Sequence, residues 1–123
     1  MRRKFIAGNW KMNHGPAATS EFFSKFGAEL KDAKEVQEAV AAGTEEIAFF
    51  VPAVSLLTAV NAAKELPVIV GAENMHWEKS GAFTGETSGP MITEIGATHV
   101  LIGHSERRHI FRETDEELNK KVH

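Results

Sequence analysis

Residues 47–51 read Ile-Ala-Phe-Phe-Val and are followed at once by Pro52. A short run of β-branched and aromatic residues that ends at a proline is typical of a β-strand. No polar residue alternates with the apolar ones, so the pattern predicts a strand that is buried on both faces of a sheet. The fold prediction extends outward from this strand in both directions.

Three similar runs accompany it. Residues 4–10 (KFIAGNW), 68–70 (VIV) and 99–102 (HVLI) are predicted to be the first, third and fourth strands. Between the strands lie stretches with apolar residues at helical spacing. They predict helices over roughly residues 17–31 and 54–63, a short helix from Ser88 to near Gly96, and a last helix that begins with a capping box at residues 114–117. Residues 31–46 are predicted to extend the first helix or to add a turn to it.

The order of elements is therefore strand and helix in alternation, which indicates an α/β protein with a parallel sheet. Residues 1–123 form one predicted domain, because no linker divides them. A closed (β/α)₈ barrel needs eight strands and about 250 residues. Two interpretations remain open at this point: half of such a barrel, with each of four parallel strands followed by a helix, or a small flavodoxin-like open sheet.

Composition excludes several classes of function. The chain carries 14 Lys and Arg against 17 Asp and Glu, and the net charge of −3 leaves no basic surface for nucleic acid. There is no cysteine, so disulfides and thiolate metal sites are excluded. The histidines are scattered, and no nucleotide-binding motif is present, so we expect neither a metal nor a cofactor. No apolar stretch is long enough for a membrane span, and a cytoplasmic protein is expected.

Polar residues follow two of the predicted strands, where ligands bind in both candidate folds. Asn9 and Lys11 end the first strand, and an ammonium group suits a phosphate. His104 follows the fourth strand in the sequence GHSERR. If a short helix starts there, its backbone N–H groups would disfavour the protonated ring and keep the imidazole neutral. The alternative is that these residues have no catalytic or binding role: Asn9 caps a turn, Lys11 is solvated, and Glu106 forms a surface ion pair.

The polar segment 73–86 is unusually long for a loop inside a compact domain. Near its end, Phe83 is an apolar residue in polar surroundings. Either a partner buries this residue or the loop folds back onto its own chain.

Three motifs together resemble the triosephosphate isomerase family. They are residues 5–13 (FIAGNWKMN), 81–86 (GAFTGE) and 99–108 (HVLIGHSERR), in the order and spacing of that family. The resemblance covers essentially the whole chain and corresponds to the first four β/α units, the N-terminal half of a (β/α)₈ barrel.

The resemblance implies a role for each matched residue. Asn9 and Lys11 would hold the substrate, and Glu106 would pair with Lys11. His104 would be the neutral electrophile that polarises a carbonyl, which is a known feature of that family's catalysis. Ser105 would contact the catalytic carboxylate. The two loop residues Thr84 and Phe83 would lie at a dimer contact.

The implied reaction interconverts dihydroxyacetone phosphate and glyceraldehyde 3-phosphate through an enediolate, without metal or cofactor. The family's general base is a glutamate near the sixth strand, so the chain alone is expected to be inactive. The implied partners are the triose phosphate, a C-terminal half-barrel or another copy of the chain. A self-associating module without catalysis and a weak phosphate-binding module remain alternatives.

Overall fold

The computed structural model describes residues 2–123, so Met1 of the predicted domain lies outside the described residues. Within them the chain forms four strands and six helices in this order: β1 (Lys4–Asn9), α1 (Pro16–Asp32), α2 (Lys34–Ala41), β2 (Glu45–Val51), α3 (Ala53–Ala62), β3 (Ile69–Ala72), α4 (Gly89–Glu94), β4 (His99–Val100), α5 (Ser105–His109) and α6 (Asp115–Val122).

The four strands form one parallel sheet in the order β1-β2-β3-β4. In register, Ile6 pairs with Ile47, and Phe50 pairs with Gly71. A flavodoxin-like sheet reverses its strand order at a switch point, whereas here each strand lies beside its predecessor. The predicted half-barrel is therefore confirmed, and the open-sheet alternative is wrong.

The sheet is strongly curved, although it is not closed. Phe5 on β1 and His99 on β4 have stacked rings with centroids 6.3 Å apart. Neighbouring strands lie about 4.8 Å apart, so three steps across a flat sheet would separate these strands by about 14 Å. The two side chains meet because the sheet curls around its concave face, as it does along half of a barrel wall.

The helices cover the convex face, and the hydrophobic core lies between them and the sheet. Phe49 of β2 contacts the rings of three α1 residues, with centroid distances of 5.0–5.5 Å to Phe22, Phe23 and Phe26. The Phe23 residue is only 1% exposed to solvent. Each such burial contributes about 1.5–3 kcal/mol, which explains why the apolar face of α1 is held against β2.

The structure corrects several predicted boundaries, among them those of the first helix and of the fourth strand. Residues 34–41 form their own helix, α2, because the backbone leaves helical geometry at Ala33 (φ −89°, ψ 68°). The fourth strand contains only His99 and Val100 rather than residues 99–102. Leu101 still donates its N–H to the carbonyl of Ala72 at 2.8 Å, but Gly103 then turns the chain at φ 72°. This early turn brings His104 over the end of the sheet.

One edge of the sheet leaves apolar side chains open to solvent. Phe5 and Ile6 of β1 are 48% and 52% exposed, whereas Ala48 and Val51 of the neighbouring β2 are fully buried. The outer edge of β1 thus presents both free backbone groups and apolar surface, which is the usual signature of an edge that another strand can join.

Candidate functional site

A cavity of about 400 Å³ opens at the carboxyl ends of the strands. Its wall includes five polar or charged residues that could bind a ligand or transfer a proton: Asn9, Lys11, Glu73, His104 and Glu106. They come from the end of β1, the end of β3 and the start of α5. The structure thus brings together Asn9, Lys11, His104 and Glu106, which are 93–97 residues apart across the two motifs.

Lys11 adopts a backbone conformation that is rare outside glycine, with φ 55°. Its N–H donates to the side-chain oxygen of Asn9 at 2.9 Å, a local turn of the kind that asparagine favours. This conformation directs the Lys11 ammonium to Oε1 of Glu106, 2.6 Å away. The hydrogen bond from Lys11 lowers the pKa of Glu106, which keeps that side chain ionised.

His104 lies immediately before α5 and caps it. Its Nδ1 accepts a hydrogen bond from the backbone N–H of Glu106 at 3.1 Å. A nitrogen that accepts a hydrogen bond carries no proton, so the ring proton of the neutral form lies on Nε2. The ring is therefore oriented by the backbone and can donate from Nε2 to a ligand oxygen in the cavity.

The remaining predicted site residues do not line the cavity. Ser105 is exposed at the first position of α5, and Thr84 is exposed in the loop between β3 and α4. Phe83 packs within its own loop, since its ring centroid lies 4.2 Å from that of His76. Its side chain nevertheless remains 41% exposed, so the roles of Thr84 and Phe83 at a dimer contact stay predictions.

Sequence reasoning missed Glu73, which also lies at the cavity. Burial raises the pKa of Glu73 to about 7, and repulsion by Glu106 adds to the effect, while a hydrogen bond from the Lys11 backbone opposes it. The available signal was position: Glu73 directly follows β3, just as Lys11 and His104 come after β1 and β4.

A second cluster of charges, the buried ionic cluster, adjoins the cavity, whose wall includes two of its members. Its members are Arg107, Glu113, Lys121 and Asn74. Glu113 pairs with Arg107 and with the Lys121 ammonium, the latter at 3.2 Å. Lys121 also donates to the Asn74 side-chain oxygen at 2.8 Å. The Glu113 and Lys121 side chains are only 8% and 5% exposed. This cluster ties α5 and α6 to the end of β3, and no sequence motif predicted it.

Over residues 2–123, no three His, Asp or Glu side chains are grouped in a way that could hold a metal ion. In the same part of the chain, no helix has both the length and the apolar character needed to cross a membrane.

A parallel half-barrel with charged side chains in a cavity at the carboxyl ends of its strands is typical of the (β/α)₈ class of proteins. Comparison with known proteins narrows this class. The family model described as Triosephosphate isomerase matches residues 4–123. The chain therefore belongs to the triosephosphate isomerase family.

Individual relatives of the chain carry the name of the same family. A protein named triosephosphate isomerase from Acetivibrio thermocellus is 50% identical over 124 residues, which cover all of this chain and 45% of that relative. A relative of the same name from Latilactobacillus sakei is 46% identical over 123 residues, with the same coverage. One from Streptococcus thermophilus is 48% identical over 121 residues, covering 98% of this chain and 44% of the relative. The chain thus spans somewhat less than half the length of the curated relatives it matches.

Proposed function

We propose that this chain supplies the first four β/α units of a triosephosphate isomerase, as one half-barrel domain over residues 1–123, and acts in the cytoplasm. In this role it carries the electrophile and the substrate-holding residues of the reaction. The observation that supports the proposal is the convergence of Asn9, Lys11, His104 and Glu106 on one cavity, from two motifs far apart in the chain.

The proposed reaction interconverts dihydroxyacetone phosphate and glyceraldehyde 3-phosphate. A carboxylate removes a proton from the carbon next to the carbonyl, and the electron pair moves to the carbonyl oxygen to give an enediolate. His104 donates from Nε2 to that oxygen as negative charge develops, and it passes the proton of the neighbouring hydroxyl from one oxygen to the other. The carbonyl then re-forms at the oxygen that lost its proton, while the carboxylate returns the abstracted proton to the adjacent carbon, which gives the isomer. The Lys11 ammonium stabilises the developing charge and the phosphate, while Glu106 and Asn9 fix its position.

This chain has no carboxylate at the position where the family carries the one that removes the proton. In the family that the motifs resemble, the general base is a glutamate near the sixth strand. We therefore propose that the chain is inactive by itself, and that a C-terminal half-barrel completes the site. General bases typically contribute a factor of about 10²–10⁴, and both proton transfers here depend on one.

The test is reconstitution. The chain is mixed with a C-terminal half-barrel from one of its relatives, and isomerisation of glyceraldehyde 3-phosphate is followed. We expect no turnover from either half alone and measurable turnover from the mixture. Replacing His104→Asn in the same mixture should reduce turnover about 10²–10⁴-fold, since an amide side chain cannot transfer a proton to or from the substrate oxygens. Turnover by the purified chain alone would refute the proposal. So would a reconstituted enzyme whose turnover is unchanged by His104→Asn.

A second candidate function is self-association without catalysis, and the open edge of β1 favours it. Phe5 and Ile6 are about half exposed there, next to unpaired backbone groups. A second copy of the chain could cover this edge in the absence of a C-terminal half-barrel. Light scattering over a range of concentrations distinguishes the candidates: self-association that a C-terminal half does not reverse favours the structural role, and a stable monomer excludes it.

A further inference from the structure

The short helix α5 depends on contacts outside itself. It contains only five residues, Ser105–His109, and an isolated helix of fewer than about 12 residues is marginal in water. The backbone N–H groups of Arg107 and Arg108 both donate to the His104 carbonyl, at 2.9 and 3.1 Å. The position of His104 therefore depends on what holds this single turn and the residue before it.

Gly103 sets the direction in which the chain enters α5. Its φ of 72° lies in the left-handed region that glycine adopts without strain. There is also no room for a side chain, since a Cβ atom on Gly103 would lie 2.8 Å from Cδ1 of Leu118 and 3.0 Å from Nη2 of Arg108. Gly103 is thus packed closely against both α6 and the Arg108 guanidinium.

The carbonyl of Gly103 has its hydrogen-bond partner in a side chain of α5. A helix accepts backbone hydrogen bonds from its cap residue onward, so the carbonyl one position before the cap lies outside that ladder. The Nε–H of Arg108 donates to this oxygen at 2.9 Å. The contact joins the residue before His104 to a residue four positions after it, and it closes the turn around His104.

The same guanidinium also forms an ion pair with the first residue of α6. Its Nη1 donates to Oδ1 of Asp115 at 2.6 Å, but the Asp115 side chain is 92% exposed. Exposed ion pairs contribute little, because water and salt screen them. The bond to Gly103 is a separate contact, and it uses the Nε donor of the planar guanidinium, which a lysine does not have.

We propose that Arg108 is a positioning residue for His104. Its Nε–H holds the Gly103 carbonyl, which fixes the turn that presents the imidazole to the cavity. The ring itself is oriented by the backbone N–H of Glu106, which donates to Nδ1 at 3.1 Å. That bond depends on where the His104 backbone lies relative to the first turn of α5, so the contact between Arg108 and Gly103 acts on the imidazole through it.

The two consecutive arginines of α5 have different roles in this arrangement. Arg107 pairs with Glu113 of the buried ionic cluster, so the helix stays attached to the rest of the chain without Arg108. The Lys11–Glu106 pair is formed by a residue of this attached helix. Removing the Arg108 contact should therefore disturb the His104 ring and leave the Lys11 ammonium in place.

This inference rests on the proposed function only for the importance of His104 in the reaction. Its test has two arms, of which the first needs no turnover. If a mixture of the original chain with a C-terminal half-barrel is inactive, the proposed function fails, while the first arm still decides whether Arg108 positions His104.

The first arm is nuclear magnetic resonance of the chain by itself. The test variant Arg108→Lys keeps the charge and removes the Nε donor, and the matched control Asp115→Asn removes the ion pair and keeps the bond to Gly103. In mildly alkaline buffer, the ¹⁵N resonances of the two His104 ring nitrogens should be well separated in the original chain and in the control, because only one nitrogen carries a proton. In Arg108→Lys they should move toward each other as both tautomers become populated.

The second arm measures turnover in the mixture with a C-terminal half-barrel. Arg108→Lys should lower kcat about 10–100-fold, which is the loss that a misplaced catalytic group produces. KM should change less than about 2-fold, because the ammonium that holds the substrate stays in place. Asp115→Asn should leave both constants unchanged. Both variants should melt within about 2 °C of the original chain, since the altered side chains are partly or largely exposed.

Three results would overturn the proposal. The first is a set of His104 ring resonances that is unchanged in Arg108→Lys. The second is an equal effect of Arg108→Lys and Asp115→Asn, because the ion pair rather than the bond to Gly103 would then position the ring. The third is a melting temperature that falls by many degrees in Arg108→Lys, which would show that Arg108 supports the fold as a whole.

Discussion

Two groups of charges lie side by side at the carboxyl ends of the strands, and they differ in their access to water. The Lys11–Glu106 pair faces the cavity, with side chains 52% and 40% exposed. The Glu113–Lys121 pair of the buried ionic cluster has side chains that are 8% and 5% exposed. Neighbouring residues of α5 belong to different groups, since Glu106 pairs with Lys11 and Arg107 pairs with Glu113.

The two groups of charges therefore differ in how much they contribute to the stability of the fold. An exposed ion pair contributes little to stability, so Lys11 can turn its charge toward a ligand at small cost. A buried pair is expensive to break, because the remaining charge is left without a partner or water. Under the proposed function, the buried cluster is the rigid base that positions α5, and the exposed pair is the part that contacts the ligand. Four predictions test this division, from the largest effect to the smallest.

Replacing Glu113→Gln should have the largest effect. It leaves the buried Lys121 ammonium and the partly exposed Arg107 guanidinium without a carboxylate, and we expect the free energy of unfolding to fall by about 3–5 kcal/mol. Urea denaturation measures the change. The control is Glu116→Gln on the same part of the chain, where the carboxylate is 83% exposed and pairs with Lys120 within one helix. Equal losses of unfolding free energy from the two variants would show that the burial of an ion pair does not determine its contribution to stability.

Thr114→Ala should have an intermediate effect. Thr114 caps α6, and its side chain and that of Glu117 satisfy each other's backbone N–H groups. Loss of the cap should cost about 1 kcal/mol, because α6 carries Lys121 into the buried cluster. Ser20→Ala, in the exposed middle of α1, is the control and should be close to neutral. A cap removal without effect in urea unfolding would mean that packing alone holds α6.

Glu106→Gln should change stability little. We expect the melting temperature to move by less than about 2 °C, and the difference from the original chain to shrink further at high salt, since exposed charges are screened. The Glu113→Gln difference should persist at the same salt concentration. A salt-insensitive loss of many degrees in Glu106→Gln would indicate that the exposed pair is a structural element after all.

The pH dependence of the exposed pair should be the smallest effect. Hydrogen bonding to Lys11 lowers the pKa of Glu106, so the folded chain binds fewer protons there than the unfolded chain. The contribution is present above about pH 4.5 and is lost as the pH falls through the lower folded value. The melting difference between the chain and Glu106→Gln should therefore vanish in acid. A difference that grows as the pH falls would contradict the assignment.

Much of the fold and part of the site could be predicted from the sequence. The apolar run at residues 47–51 was enough to predict β2, and the helical spacing in residues 17–31 was enough to predict α1. The choice between a half-barrel and an open sheet could not be made from these patterns, because both folds contain the same local units. The contact between Phe5 and His99 depends on how all four strands curl together.

The sequence by itself determined what short-range geometry controls. The turn in which Lys11 donates to Asn9, the His104 cap on the Glu106 N–H, and the Thr114 capping box each join residues two or three positions apart. Such contacts depend on the backbone conformation of a few residues and on the donors and acceptors that those residues carry.

Only the tertiary structure decided which charges are paired and which are buried. The Lys11–Glu106 contact joins residues 95 positions apart, and the Lys121–Asn74 contact joins residues 47 positions apart. Whether Glu73 keeps a proton depends on how much water the surrounding elements exclude and on which cations they have already bound. Desolvation and long-range pairing are sums over the whole packed chain, so no local pattern in the sequence records them.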